Sequence, residues 1–584
     1  MTVYYSHLDP GCKSPFGAVP EGTGVRFRLS CSDPSAGFSL LIKHEDSIVD
    51  TARFSSDGNG QFEAEYIYGT RGLYYYAIQC GEMYICEGGS LSKDGEWFQQ
   101  TVYAADYVQP QGYAGGMIYQ IFPDRFAIDG GINPTPFGDR IIHSSHSDVP
   151  CYKPEADGQV KNRDYYGGNL RGIISKLGYL ESLGTTIIYL NPIFEAHSNH
   201  RYDTADYMKI DPMLGTEEEF RELCSRASDR GIRIVLDGVF NHTGSDSVYF
   251  NSEGRYPDKG AANDPKSPYR SWYKFSPDGS YKGWWGFKTL PEVNEDDPTY
   301  KEFICGENGV IAHWMKLGAS GFRLDVADEL PDRFIRLIRQ RIKSFGDDKI
   351  LIGEVWEDAS NKVSYGEKRQ YLFGEELDSC MNYPFRNAIL KFMKDADGCA
   401  FVETIEDICD HYPKPMLDLM MNPLSTHDTE RIITALTVDS MGDKDWQASF
   451  RLTRDGYLRG VELEKLAAVL QFTLPGIPSV YYGDEIGMQG CKDPFNRCFY
   501  DWENGDDNLR SFYKKLSKIR RDTSQFADGA FIPVSCSPGS ASYLRADEEG
   551  AVLIAVNRSD TEAVVGAYGR TFRIEPWRYV IEKI

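Results

Sequence analysis

No run of about 18 apolar residues occurs in this 584-residue chain, so no membrane-spanning helix is expected. Basic charge is also scarce. Lys and Arg number 63 against 87 Asp and Glu, a formal net charge of −24. That excludes the basic footprint of a nucleic-acid binder or of a protein drawn to anionic membranes. The first residues, MTVYYSHLDPGCKSPFGAV, lack a basic start followed by an apolar core. No signal peptide is therefore expected, and a cytoplasmic location is. The 13 cysteines include no C-x-x-C pair, and Cys491 and Cys498, seven apart, suit no zinc pattern. Free thiols in a reducing compartment are the expectation. There is no HExxH motif and no phosphate-binding G-x-x-x-x-G-K-[ST] loop. No G-x-S-x-G elbow stands among the strand-like runs. Internal repeats and low-complexity segments are lacking too.

What is present falls into three parts. Residues 1–112 carry short, partly alternating runs (24–30, 38–44, 61–68, 72–80) between Gly- and Asp-rich turns, the pattern of a β-sandwich. From 113 to 522 the rhythm changes to apolar runs separated by helical patterns. MIYQIFP, TTIIYLNP, IRIVLDGVF, GFRLDV, ILIGEVW, CMNYPF, LMMNPLS and PSVYYGDEIGM read as eight strands covered on both faces. Thr216 and Glu219 form a capping box ahead of the apolar stripe Phe220, Leu223, Cys224 and Ala227, with Gly231 as the stop. A second helix follows over 331–346, with Phe334, Leu337, Ile338, Ile342 and Phe345 on one side. Eight strands alternating with helices predict a (β/α)8 TIM barrel of the α/β class. Residues 243–298 are an insertion after the third strand, rich in Gly, Pro, Asp, Trp and Tyr. Short β-like runs over 523–584 predict a small C-terminal β domain.

The fourth strand poses a problem. In GFRLDV, Phe322 and Leu324 share one face, and Arg323 and Asp325 the other. Buried charge is costly unless paired. In a barrel the C-terminal strand ends carry the chemistry. Those ends bring Asp237, Asn241 and His242 from the third strand, Arg323 and Asp325 from the fourth, Glu354 from the fifth, and His427 with Asp428 from the seventh. Convergent acids fit three readings: a cation site, structural ion pairs, or acid/base and nucleophilic work. Arg323 speaks against a metal at Asp325 and would lower that carboxyl's pKa, keeping it ionised. An ionised acid beside a protonated one is what glycoside hydrolysis uses.

Four blocks in order, DGVFNH (237–242), GFRLDVADE (321–329), GEVWE (353–357) and STHDTER (425–431), make the chain resemble the α-amylase superfamily of glycoside hydrolases. Within it the neopullulanase, cyclomaltodextrinase and maltogenic amylase group is the nearest likeness. The resemblance implies a retaining α-glucan hydrolase. It acts on α-1,4 and, in some members, α-1,6 bonds of maltooligosaccharides, cyclodextrins, pullulan or starch, with some transglycosylation. Asp325 would be the nucleophile, Glu354 the acid/base and Asp428 the third acid. Arg323 would orient Asp325, with Asp237 bracing the site. His200, His242 and His427 would bind the sugar, and Tyr202 would stack on it beside Asp203. Asp493 and Arg497 would clamp outer glucose units, and Trp356 and Phe287 would line the leaving-group side. Read singly, the histidines suit a satisfied core; the flanking blocks are what place them in the site.

LPEVN (290–294) departs from the group's usual stretch, which bears on linkage specificity. The chemistry needs no cofactor. A structural calcium would draw on Asp129, Asn133 and Asn169, though the loop is poor in ligands. The N-terminal module implies either glucan binding or a homodimer, and 96–108 serves one of these or is linker packing. A general α-amylase acting on long starch and a non-catalytic glucan-binding relative are the competing readings.

Overall fold

The computed structural model describes every residue except Asp46, Pro136 and Asp157. Eight parallel strands form one sheet: β1 (Ile118–Ile121), β2 (Ile187–Leu190), β3 (Arg233–Gly238), β4 (Gly321–Leu324), β5 (Ile350–Gly353), β6 (Ser379–Cys380), β7 (Met421–Pro423) and β8 (Ile477–Tyr481). Their spatial order is β6-β5-β4-β3-β2-β1-β8-β7. A parallel bridge between Met381 and Met421 joins the two ends, so the sheet closes as the eight apolar runs predict.

Alternation divides each strand between lumen and helix layer. Ile187 and Tyr189, Val235, and Ile350 and Ile352 belong to the inner cluster with Ile118, Met421 and Ile477. Ile188, Leu190, Leu236, Phe322, Leu324 and Leu351 pack outward into the main core. Arg323 therefore faces the lumen because Phe322 and Leu324 face the helices. The helix Glu217–Ser228 starts on the expected capping box, with both reciprocal bonds present. The helix Asp332–Lys343 buries Ile335 where Leu337 was expected, because its apolar stripe is rotated slightly about the axis.

The N-terminal module is two sheets over one core, built on Thr23–Cys31 with Gln61–Tyr68 and on Ser39–His44 with Gly72–Cys80. Residues 96–108 hold a further strand, Phe98–Tyr103, paired with Gly72–Tyr76. Its Gln99 donates to Ser360 at 2.7 Å and accepts from Asn361 at 2.9 Å, docking the module on the loop after β5. A buried ion pair, Lys13 with Asp410, adds a second anchor.

The C-terminal domain pairs Ala530–Ser537, Ser540–Asp547, Gly550–Asn557 and Arg578–Lys583 in one sheet beside a separate hairpin. One expectation is overturned here. Cys399 and Cys536 form a disulfide with Cα atoms 4.9 Å apart, tying the helix Gly398–His411 to this domain. Two cysteines separated by 137 positions meet only through the tertiary fold. Eleven other cysteines are free. No helix among the described residues is long and apolar enough to cross a membrane.

The expected calcium donors do not form an oxygen cage. Asn169 donates from its amide nitrogen to the carbonyls of Asp129 and Gly131, both at 3.0 Å. Its oxygen accepts from Gly172 N at 2.7 Å, capping the helix Leu170–Ser175. Asn133 instead donates to the Met213 carbonyl at 3.2 Å. The carbonyls a cation would use thus already face an N–H donor, and these residues do not fit calcium.

Candidate active site

Asp325 and Glu354 stand one residue beyond the ends of β4 and β5. The ladder still reaches them: Asp325 N donates to Gly238 O at 3.1 Å, and Glu354 N to Leu324 O at 3.0 Å. Two backbone features fix the aim. Gly353 leaves room that a Cβ would fill, since one would come 2.4 Å from Leu377. Val326, directly after Asp325, sits at φ 39°, a left-handed conformation that is strained for a β-branched residue. The Val326 N–H donates to Glu354 Oε2 at 2.8 Å.

Arg323, fully buried, organises the acids. Its Nη1 lies 2.8 Å from Asp237 Oδ1 and 3.0 Å from Asp325 Oδ1, and its Nη2 lies 2.9 Å from Glu354 Oε2. Asp237 also accepts from Tyr189 at 2.6 Å and Tyr202 at 2.8 Å, so it braces the cation as the sequence suggests. Glu354 Oε1 accepts from the Trp356 indole at 3.1 Å. Trp356 is 43% exposed and stacks on Tyr383 at 3.9 Å.

Asp428 lies on the loop after β7. His427 Nε2 is 3.1 Å away and Arg497 Nη2 3.5 Å. Gln120 donates to His427 Nδ1 at 2.9 Å, which places the imidazole proton on Nε2. Burial and the nearby Arg497 and Arg323 hold His427 well below the usual histidine range, so it is neutral. His427 and Tyr202 are parallel, 5.3 Å apart, and bonded through Nε2 and the phenol. His200 Nδ1 accepts from Tyr202 N at 3.1 Å, which leaves Nε2–H for a ligand. Burial also lowers its pKa.

His242 Nε2 bonds the Tyr202 carbonyl at 3.0 Å, and its buried Nδ1 has no partner among the described residues. Phe287 stays on the rim, 57% exposed, with Trp284 as its ring neighbour at 6.4 Å. Arg497 pairs with Asp493 at 2.8 Å and donates to His427 O at 2.9 Å.

One electrostatic expectation is corrected. Arg323 alone does not hold Asp325 ionised. Burial raises the Asp325 carboxyl well above its ordinary range, Arg323 opposes this, and Glu354, Asp237 and Asp428 add to the rise. Asp428 is pushed up to about 7 by desolvation and by Glu354. One guanidinium shared among three acids is too little positive charge, so the cluster retains protons near neutral pH. Tyr189 and Gln120 are site residues that sequence reading missed. Strand parity is the signal for Tyr189, which lies two residues beyond the inward-facing Ile187.

A barrel whose strand ends gather acids around one buried arginine defines a class, and the comparisons agree with it. The α-amylase catalytic domain model matches residues 120–528. The chain belongs to the α-amylase family. It is 32% identical to a cyclomaltodextrinase of Thermoanaerobacter pseudethanolicus over 90% of this chain and 84% of that one. It is 34% identical to an amylopullulanase of Thermoanaerobacter thermohydrosulfuricus, covering 90% of this chain but 40% of the relative. The chain spans less than half the length of the curated amylopullulanases it matches. Among solved structures, a cyclic α-maltosyl-(1→6)-maltose hydrolase from Arthrobacter globiformis superposes with a TM-score of 0.68 at 28% identity. That match covers 81% of this chain and 99% of that one.

Proposed function

We propose that this chain hydrolyses α-glucosidic bonds in short or cyclic α-glucans with retention of configuration. The ionised form of Asp325, which Arg323 favours against burial, attacks the anomeric carbon while Glu354 protonates the departing oxygen. Glu354 then takes a proton from water, which cleaves the glycosyl ester on Asp325. Asp428 and the free Nε2–H of His200 hold hydroxyls of the distorted ring. Tyr202, parallel to His427, gives the apolar sugar face a surface to rest on.

The observation that carries this reading is the single arginine. Asp325 is hydrogen-bonded to one terminal nitrogen of Arg323 at 3.0 Å, and Glu354 lies 2.9 Å from the other as an ion-pair contact. Such an arrangement suits the separation of about 5–5.5 Å used by retaining glycosidases. The proton-rich cluster supplies the acid. The exposed Trp356, bonded to Glu354, suits an acceptor sugar on the leaving-group side, and so transglycosylation.

The test is reducing-sugar release from cyclodextrin, pullulan and starch in parallel, with the anomer of the first product read by NMR. Faster turnover of cyclodextrin or pullulan than of starch, with an α product, supports the reading. Preference for long starch would make it a general α-amylase, and binding without turnover a glucan-binding relative. A homodimer through the N-terminal module belongs to the same reading, and sedimentation at working concentration tests it. We place the protein in the cytoplasm on its eleven free thiols. Thiol trapping in cells that finds Cys399–Cys536 fully oxidised would move it to an oxidising compartment.

A further inference from the structure

Away from the acids, the excursion between β1 and the helix Leu170–Ser175 gathers three donors of different kinds. His143, Cys151 and Asp164 each offer one ligand atom, and the three atoms lie within 4.8 Å of one another. His143 Nε2 is 2.9 Å from Asp164 Oδ2. Cys151 reaches the same carboxylate through its backbone N–H at 3.1 Å, which brings its free thiol to the group.

The surroundings are arranged as ligand supports. Asp164 is buried; its Oδ1 accepts from Asn199 at 2.9 Å, while its Oδ2, which takes the Cys151 N–H, faces the His143 ring. The far nitrogen of His143, Nδ1, faces Asp148 Oδ2 at 3.5 Å. Metal-bound histidines commonly show a carboxylate at this second nitrogen. Tyr166 stacks on the imidazole at 4.2 Å and fixes its plane. A neighbouring cation, Arg125, lies 3.7 Å from Asp164 Oδ2 but is already paired with Asp124 at 2.6 Å.

We propose that His143 Nε2, Cys151 Sγ and Asp164 Oδ2 bind a divalent transition metal, zinc by donor set, with solvent in the fourth position. A nitrogen, a sulfur and one carboxylate oxygen disfavour calcium and magnesium, which take oxygen ligands. Thiolate and carboxylate together neutralise the ion. On binding, the thiol proton leaves to solvent and the imidazole keeps its single proton on Nδ1, toward Asp148. The exposed Cys151 supplies the entry path. Asn199, bonded to both the carbonyl and the carboxylate of Asp164, precedes His200 in the sequence. The ion would therefore tie His143 and Cys151 to Asp164, which Asn199 already joins to the segment that carries the site's His200 and Tyr202.

The full-length protein, stripped with chelator, is titrated with Co²⁺. One equivalent is expected, with a thiolate-to-cobalt absorption band that Zn²⁺ abolishes by displacement. Cys151→Ser should remove the band, and His143→Gln should weaken binding at least tenfold, while Cys86→Ser changes neither. Zinc should also slow alkylation of Cys151, read by peptide mapping. No band in the wild type, a band that survives Cys151→Ser, or equal alkylation of Cys151 with and without zinc would overturn the proposal.

Discussion

Two buried charge clusters stand near the barrel mouth and behave oppositely. In one, Asp211 takes two bonds from Arg140 at 2.9 and 2.8 Å and lies 3.3 Å from Arg201. Burial pushes this carboxyl up, but Arg201 and Arg140 outweigh it and hold it below its ordinary value. In the other, Arg323 serves Asp237, Asp325 and Glu354 alone, and Asp325 rises. Two cations around one acid keep that acid permanently charged, which makes a staple. One cation divided among three acids leaves Asp237 and Asp325 raised, which makes a reagent. Counting partners, rather than noting that charges are buried, separates structure from chemistry.

The largest expected effect comes from the reagent side. Asp325→Asn should cut kcat on a maltooligosaccharide by about 10⁴-fold or more, since it removes the nucleophile. Its thermal midpoint should not fall, because an acid leaves an overcrowded cluster. A near-normal rate would end the role assignment. Glu354→Gln should cost about 10²–10⁴-fold on the same substrate. With an activated aryl α-glucoside the loss in the bond-breaking step should be far smaller, because that leaving group needs no proton. Equal losses on both substrates would mean Glu354 is not the acid.

The staple side should respond in stability instead. Asp211→Asn strands two buried guanidinium groups and should destabilise by about 3–5 kcal/mol in denaturant unfolding, with kcat per folded molecule within severalfold of wild type. A large loss of kcat with unchanged stability would erase the distinction drawn above.

Much of this was legible in the sequence for one reason. Parallel strands buried on both faces read as apolar runs, so a charged residue at a run's end stands out, as Arg323, Asp325 and Glu354 do. Parity then assigns the lumen side. What escaped depends on distance between remote segments. Gln120 reaches His427 across 307 positions, and Cys399 reaches Cys536 across 137. Arg323 does lower the Asp325 pKa as expected, but burial outweighs it, and the sequence, which does bring the other acids to the same strand ends, gives neither that burial nor their distances to the shared cation. Phe98–Tyr103 lacked clear alternation because its sheet is covered on one side and docked against the barrel on the other, leaving it buried throughout most of its length.

The smallest effect is the most discriminating. Asp428, at about 7, sits where a modest change in neighbouring charge moves it across neutral pH. Asp493, paired with Arg497 at 2.8 Å, adds to its rise. Asp493→Asn removes a negative neighbour and leaves Arg497 to Asp428, so the ionised form gains and the pKa falls. The acidic limb of kcat/KM should then move down by roughly half a unit, with kcat at the optimum little changed. Stability carries the complementary sign. A carboxyl raised on folding holds extra protons in the folded state between its ordinary value and about 7, so its contribution is present at low pH and is lost as pH rises through about 7. The substitution should make that loss shallower. If the limb stays fixed or moves upward, the proton shared within the acid cluster is not governed by the charge count, and the contrast with the Asp211 staple fails.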